Sequence, residues 1–306
     1  MYALRLLAIA ATAAATVLVA PAAHAAGATS VYAALGDSYS SGEGACAPLT
    51  VAACGYLQGT ATAADECHRS KNAYAVRVKA TLPRAWQLAF AACSGATTAD
   101  VLSASLNSEP AQLAVLATQK SAGNNVRLVT LTLGGNDVGF ADAVGSCVAA
   151  HTFFGSSCGG KVHWAITTAT LRSRLAAVYA AVHGLAPHAR VFVLGYPRLF
   201  SPTPSATAPC PVAAVDSRAL SKAEDVLNAS IATAVAHANK VAGKKFATFV
   251  DDGAVFKGHE LCAGPAATSY LNGLVLTSGA ARAESLHPNR VGQGVLAKHL
   301  EKVLKG

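Results

Sequence analysis

A serine that follows an apolar, β-prone run is the first residue of this sequence that could do chemistry. The run at residues 31–35 ends at Gly36, Asp37 and Ser38, which predicts a strand that delivers one serine to its carboxyl end. In an open parallel sheet ligands bind at that end, and a glycine lets the backbone turn sharply enough to expose the hydroxyl. Ser38 is therefore a candidate nucleophile. The alternative is a plain turn, because Asp and Ser are common turn formers.

Three further residues could act with such a serine, and all of them lie in turns or loops. His287 stands just before a predicted helix, Gly95 lies in a small-residue turn, and Asn136 follows the clearest β run of the chain. A serine hydroxyl is a poor nucleophile until a base removes its proton, and imidazole titrates near neutral pH. A side-chain amide can donate to developing negative charge. Taken singly, each residue is more commonly a surface or turn residue.

The pattern of apolar residues predicts the elements that would position these turns. We expect strands at residues 31–35, 87–92, 126–133, 190–194 and 245–250, and helices at residues 73–82, 164–186, 216–242 and 289–304. Asn72 is expected to cap the first helix, and a loop holding Cys147 and Cys158 is expected before residue 164. Because strands and helices alternate, we predict an α/β fold with three α/β/α layers around a parallel sheet of about five strands.

The first 25 residues have the composition of a secretion signal. Arg5 is their only charge, residues 6–20 are apolar, and Ala23-His24-Ala25 is a small-x-small cleavage site. A membrane anchor is the competing interpretation, but the apolar run is short and rich in alanine. We therefore expect a secreted protein without stable membrane insertion, whose mature part, residues 26–306, forms a single domain.

The charge of the chain favours solubility and indicates no nucleic-acid partner. The 24 Lys and Arg residues against 16 Asp and Glu give +8, or +7 without Arg5. These basic residues are scattered, with only Lys244 and Lys245 adjacent, and a nucleic-acid groove would cluster them. We expect a monomer whose partner is a small-molecule or lipid substrate.

Eight cysteines in an exported chain are most simply four disulfides, because an oxidising compartment lets them persist. Sequence alone allows 105 pairings. Nearest-neighbour order would give Cys46–Cys54, Cys67–Cys93, Cys147–Cys158 and Cys210–Cys262. A zinc site is the rival interpretation, but no pair has Cys-x-x-Cys spacing. No metal or organic cofactor is expected.

Four short blocks stand in one order along the chain. They are Gly36-Asp37-Ser38, Gly95, Gly134-Gly135-Asn136-Asp137 and His287-Pro288. In this order they resemble the SGNH (GDSL) hydrolase family, over nearly the whole mature chain. The likeness is greatest to its secreted actinobacterial lipase/esterase branch, in which a late Gly-His-Glu, here Gly258-His259-Glu260, recurs with disulfides. The resemblance implies a flavodoxin-like SGNH hydrolase fold.

The resemblance also implies a role for each block. Ser38 would attack an ester carbonyl, and His287 would take its proton and pass it to the leaving alcohol. The backbone N–H groups of Ser38 and Gly95 and the side-chain amide of Asn136 would hold the oxyanion, while Asp37 and Asp137 would brace their turns. These roles agree with the chemistry of the residue types.

The chain departs from the family pattern at the residue that orients the histidine. The family commonly has Asp three residues before the catalytic histidine, and that position here is Glu284. Glu284 could reach the imidazole as the third member of a triad. In some members of the secreted branch a main-chain carbonyl does this instead, and we favour that arrangement, with the Ser285 carbonyl as acceptor.

Two other motifs could suggest different chemistry. Gly155-Ser156-Ser157-Cys158-Gly159 matches the G-x-S-x-G elbow of α/β-hydrolases, which requires a position between a buried strand and a helix. In this chain the motif lies in the predicted loop that holds Cys147 and Cys158, so we do not expect Ser157 to be a nucleophile. His259 and Glu260 could suggest a metal, but no His-x-x-x-His pair supports one.

Three function classes follow from these residues. A lipase or esterase acting on carboxylic esters is favoured, with phospholipase A-type activity as a variant of it. A carbohydrate or polysaccharide deacetylase would use the same chemistry in a polar groove. A non-catalytic binding protein would have no need for a nucleophile, a base and oxyanion donors together.

Overall fold

The computed structural model describes residues 28–48, 53–277 and 280–306. The predicted signal peptide at residues 1–25 lies outside them. Within the described residues, no helix is both long and apolar enough to span a membrane.

Five parallel strands form the central sheet, as predicted. They are β1 (Ser30–Gly36), β2 (Gln87–Phe90), β3 (Asn125–Thr132), β4 (Arg190–Leu194) and β5 (Ala247–Val250). Their spatial order is β2-β1-β3-β4-β5, which is the flavodoxin-like order. In such a sheet the chain reverses its winding between β1 and β3, and ligands bind in the crevice at the carboxyl ends of these two strands. Gly36, at the end of β1, pairs with Thr132, at the end of β3.

Helices cover both faces of the sheet. They are α1 (Ser38–Ser41), α2 (Tyr74–Thr81), α3 (Thr98–Leu102), α4 (Leu113–Ser121), α5 (Phe140–Phe154), α6 (Thr168–Leu185), α7 (Ala214–Val241) and α8 (Arg290–Lys305). A 3₁₀ turn (Ala266–Thr268) and a short antiparallel hairpin, β6 (Leu276–Thr277) with β7 (Ala280–Ala281), lie between β5 and α8.

Alternate residues of each strand enter two different cores, because successive side chains of a strand point to opposite faces. Ala33 and Leu35 of β1 pack in the core that holds the buried residues of α4, α6 and α7. Tyr32 and Ala34 pack in the core that holds those of α2, α5 and α8. This confirms the predicted three-layer α/β/α architecture.

Helix α5 corrects the prediction of a loop around the third cysteine pair. Cys147 lies inside the helix, and only Cys158 lies in the loop beyond it. The buried residues Val144, Cys147 and Val148 have helical spacing and pack on the sheet core. A glycine within the helix at position 145 conceals this pattern in the sequence, since glycine is a poor helix former.

The predicted cap of α2 is also wrong. The Asn72 amide donates to the carbonyls of Ala45 and Cys54 at 3.0 and 3.2 Å, and the first turn of α2 has no side-chain cap of its own. The Tyr74 N–H instead donates to the side chain of Gln293, on α8, at 2.8 Å. A local capping residue is replaced by a tertiary contact, which sequence spacing does not reveal.

The eight cysteines form four disulfides in the structure. They are Cys46–Cys54, Cys67–Cys93, Cys147–Cys158 and Cys210–Cys262. Each bridge closes a loop and thereby restricts the unfolded chain.

Candidate active site

The turn after β1 places Ser38 at the first position of α1. Gly36 has φ +112°, and a Cβ there would lie 2.3 Å from the carbonyl oxygen of Thr132, so only glycine fits between β1 and β3. Asp37 is the N-cap of α1, and its carboxylate accepts from the Tyr39 N–H at 3.1 Å. The Ser38 side chain emerges beside the end of the sheet, and the residue is 8% exposed.

His287 lies against this serine. Its Nε2 is 2.8 Å from Ser38 Oγ, and its Nδ1 is 3.0 Å from the main-chain carbonyl oxygen of Ser285. An Nδ1–H that donates to this carbonyl leaves Nε2 unprotonated toward the serine. That is the tautomer a general base requires.

Glu284 points away from the imidazole. Its two carboxylate oxygens accept from the Arg282 guanidinium, each at 2.9 Å. The same guanidinium lowers the pKa of Glu284. The structure therefore does not bring Glu284 to His287, and the Ser285 carbonyl occupies the place that a triad carboxylate would take.

The two predicted side-chain and backbone donors, Asn136 and Gly95, line the same cavity as Ser38 and His287. One N–H of the Asn136 amide donates to the Ala96 carbonyl at 2.9 Å, so the amide is held against the Gly95 turn while its second N–H is available. Gly95 has φ +80°, and a Cβ there would project into open space. A substrate oxygen can therefore approach the backbone at this turn.

Asp137 and Thr98 link the third block to α3. The Asp137 carboxylate accepts from the Thr98 N–H at 3.0 Å and from its hydroxyl at 2.5 Å. Burial raises the pKa of Asp137. This residue braces the turn that carries Asn136, in the manner expected from the sequence.

A network that sequence reasoning missed joins the first and third blocks. The Tyr196 hydroxyl donates to the Asp37 carboxylate and accepts from the Gly135 N–H at 3.0 Å. The Thr132 hydroxyl also donates to Asp37, at 2.6 Å. Burial raises the pKa of Asp37 to about 6, against these hydrogen bonds, which lower it. The only sequence signal was that Tyr196 stands in the exit turn of β4.

A second missed residue is Glu43, which is buried at 2% exposure. It stands five residues after Ser38, and sequence reasoning gave it no role. Its carboxylate accepts from the Ser94 hydroxyl and lies 3.6 Å from His287 Nε2.

The cavity over Ser38 has a volume of about 510 Å³. One wall is apolar and comes from α5, through residues that include Phe140, Val144 and Val148. Its polar lining residues include Ser38, Asn136 and His287. Such a cavity suits a molecule with an apolar chain and one polar reacting group.

The G-x-S-x-G motif and the His259-Glu260 pair lie outside this cavity. Ser157 donates to the buried carboxylate of Asp216 at 2.8 Å, in the loop after α5. The Nδ1 of His259 is 2.7 Å from the Thr268 carbonyl oxygen, and its ring stacks on Tyr270 at 3.8 Å. Both residues hold loops together.

Comparison with known proteins decides the family. The GDSL-like lipase/acylhydrolase family matches residues 34–295, a span that contains the serine, the asparagine and the histidine. The chain belongs to the GDSL-like lipase/acylhydrolase family. This confirms the resemblance drawn from the four blocks and makes the protein a carboxylic ester hydrolase of the SGNH type.

Named relatives of this GDSL-like hydrolase come from Streptomyces. Lipase 1 of Streptomyces coelicolor is 34% identical over 271 residues, which cover 86% of this chain and 82% of the relative. A lipase of Streptomyces rimosus is 34% identical over 266 residues, with the same coverage.

Solved structures agree with the fold. The crystal structure of phospholipase A1 from Streptomyces albidoflavus is 31% identical, with a TM-score of 0.62, and the match covers 90% of this chain and 99% of that one. That of an extracellular lipase from Streptomyces rimosus is 29% identical with the same TM-score and coverage.

Proposed function

We propose that this GDSL-like hydrolase is a secreted lipase or esterase that cleaves carboxylic esters through an acyl-enzyme on Ser38. The observation that supports this most directly is the 2.8 Å contact between Ser38 Oγ and His287 Nε2, inside a largely apolar cavity. A base in contact with a serine, inside a cavity that can hold an acyl chain, is the arrangement that ester hydrolysis needs.

In the proposed reaction, Ser38 Oγ bonds to the ester carbonyl carbon while His287 Nε2 takes the hydroxyl proton. The carbonyl electron pair moves onto oxygen, and the N–H groups of Ser38, Gly95 and the Asn136 amide stabilise the resulting charge. When the tetrahedral intermediate collapses, the alcohol leaves with the proton from Nε2. Water then attacks the acyl-enzyme by the same steps, which releases the acid and restores Ser38.

The Ser285 carbonyl is proposed to orient the base. It accepts the Nδ1–H at 3.0 Å and fixes the tautomer, and the pair Ser38 and His287 then acts as a dyad. Glu284 has no direct part in the reaction, since its carboxylate is engaged by Arg282.

An acyl chain of medium or greater length is the proposed apolar part of the substrate. The wall formed by α5 offers Phe140, Val144 and Val148, and burial of each CH₂ of a chain contributes about 0.8 kcal/mol. A sugar substrate would instead require polar partners for its hydroxyls, so a carbohydrate deacetylase is not favoured. Phospholipase A-type activity is the second candidate, because phospholipase A1 of Streptomyces albidoflavus is similar over 90% of the chain.

The proposed function also includes export from the cell and a monomeric state. Residues 1–25 are proposed to be removed as a signal peptide, and residues 26–306 to form a single-domain monomer that binds no nucleic acid. The similarity to an extracellular lipase of Streptomyces rimosus supports secretion. Sequencing the amino terminus of protein recovered from the culture medium tests the cleavage site, and a start distant from Ala26 would contradict it.

The function is tested with p-nitrophenyl esters from acetate to palmitate and with phosphatidylcholine as a second substrate. We expect hydrolysis that increases with chain length beyond acetate, and its loss in Ser38→Ala. Ser157→Ala is the matched control, since Ser157 lies in the loop after α5 and bonds Asp216. If Ser157→Ala were inactive and Ser38→Ala active, the proposed nucleophile would be wrong.

A further inference from the structure

Glu43 is a buried carboxylate that the proposed reaction leaves without a role. It is 2% exposed and follows the C-terminal end of α1. Its Oε2 lies 3.6 Å from His287 Nε2, the nitrogen that faces Ser38. The carboxylate therefore approaches the imidazole from the side of the reacting atoms, opposite to Nδ1 and the Ser285 carbonyl.

The same carboxylate holds the residue next to an oxyanion donor. The Ser94 hydroxyl donates to Glu43 Oε2, and Ser94 immediately precedes Gly95. The Ser94 N–H donates to the Cys67 carbonyl at 3.1 Å. Ser94 is thus fixed from two directions, and its position determines where the Gly95 N–H points.

A second histidine lies against this carboxylate. Glu43 Oε1 lies 2.8 Å from Nδ1 of His68, and the carboxylate raises the pKa of that imidazole. The ring of Tyr56 lies against His68, with centroids 5.0 Å apart. When His68 is protonated, this pair limits the excess negative charge that would otherwise oppose an oxyanion at Gly95.

Other charged groups reach the same region. Glu284 and Glu66 raise the pKa of His68, as Glu43 does. Glu284 raises the pKa of Tyr56, whereas Arg282 lowers it. Asp37 interacts electrostatically with His287 itself. Of these groups, Glu43 is the one whose carboxylate contacts the catalytic pair. Removing its charge therefore changes the field at His287 in a way that the exposed Glu66 does not reproduce.

We propose that Glu43 is a positioning residue for ester hydrolysis: it holds Ser94 beside the oxyanion site and places negative charge next to His287 Nε2 when that nitrogen takes the serine proton. This inference rests on the proposed function. A carbonyl at Nδ1 fixes the imidazole with less charge than a triad carboxylate, so the developing imidazolium needs negative charge from another group. Glu43 supplies it from the Nε2 side.

The test separates the charge of Glu43 from its hydrogen bond. Glu43→Gln keeps an oxygen that can accept from Ser94 but removes the charge, and Ser94→Ala keeps the charge but removes the donor. Glu66→Gln is the matched control, because it makes the same charge change on an exposed residue two positions before His68. Steady-state kinetics on p-nitrophenyl butyrate from pH 5 to pH 9 give kcat and KM for each protein.

We expect Glu43→Gln to lower kcat about 10- to 100-fold, a smaller loss than removal of an oxyanion donor, with KM within about threefold. The rising limb of its pH–rate profile should also move to lower pH, since the charge that favours the protonated imidazole is gone. Ser94→Ala should lower kcat by about fivefold or more without moving that limb. Glu66→Gln should match the wild-type protein.

A Glu43→Gln protein with wild-type kcat and pH profile would overturn the proposal, even if its melting temperature fell. If that variant does not fold, Ser94→Ala decides, and unchanged kcat there would overturn the proposal equally. Ser38→Ala is measured alongside. If Ser38→Ala hydrolysed the ester at the wild-type rate, the proposed function itself would be wrong.

Discussion

Replacing Glu284 with glutamine distinguishes a carbonyl-oriented histidine from a triad. Both carboxylate oxygens of Glu284 bond the Arg282 guanidinium at 2.9 Å, and the Arg282 side chain is 38% exposed. An ion pair with such exposure is screened by solvent and contributes little to stability. The Ser285 carbonyl that accepts from His287 is main chain and is unchanged by the substitution.

We therefore expect kcat/KM of Glu284→Gln to remain within about tenfold of the wild-type value, which is ~1.4 kcal/mol of barrier. Removing a triad carboxylate costs about 10⁴-fold in the serine-protease template, so the two outcomes are well separated. The assay is initial-rate hydrolysis of p-nitrophenyl butyrate near pH 8, with thermal unfolding to verify the fold. Arg282→Gln is the control, because it breaks the same ion pair from the other side. A thousandfold loss in a folded Glu284→Gln protein would refute the reasoning.

Three other outcomes are expected. Ala149 lines the cavity on α5, so Ala149→Leu should lower kcat/KM for the palmitate ester at least about tenfold more than for the acetate ester. Ala150→Leu, one residue further along α5, should not show this difference. Equal effects of Ala149→Leu on both esters would contradict the assignment of α5 as the wall that contacts the acyl chain. Ellman titration of the native protein should find no free thiol, and two or more free thiols would contradict the four disulfides. Reduction should lower the melting temperature, since each disulfide contributes roughly 2–4 kcal/mol to stability. Burial raises the pKa of Asp252 to about 6, and that carboxylate raises the pKa of its partner His299. Because both folded values are raised, the folded state holds extra protons. It loses stability as pH rises from about 4 to about 6 through Asp252, and again as pH rises above about 6.5 through His299. His299→Gln leaves the carboxylate buried without its cation, so urea unfolding should show a deficit that widens from pH 4.5 to pH 7 toward about 1–3 kcal/mol. A deficit independent of pH would indicate lost packing alone.

The sequence predicted the parts of the site that depend on local backbone geometry. Gly36 precedes Ser38 in a turn that only a glycine fits, and such a turn is visible as a break in an apolar run. The five strands were predictable for the same reason, since each is a short β-prone run that ends at a turn. Their order in space came only from the family resemblance.

The parts that the sequence did not predict depend on side chains that meet through tertiary packing. Tyr196 and Asp37 are 159 positions apart, and no local pattern relates them. Glu43 stands only five residues after Ser38, yet its proposed role depends on contacts with Ser94 and His68, which reach it from other loops. Helix α5 was missed because Gly145 weakens its pattern, while its burial against the sheet, which stabilises it, is a property of the whole fold.

The separation of Ser38 from His287 has a consequence for when the enzyme becomes active. The two residues are 249 positions apart, and the histidine stands immediately before α8, the final helix. Gln293 of α8 bonds both the Tyr74 N–H and the Tyr39 carbonyl, so the last helix is tied to elements formed by the beginning of the chain. A nascent chain can complete its serine turn early, but it lacks the proposed base, His287, until its carboxyl end has been synthesised and docked. Esterase activity therefore reports that the whole chain has been synthesised and folded. A chain truncated anywhere before residue 287 should keep Ser38 but show no esterase activity.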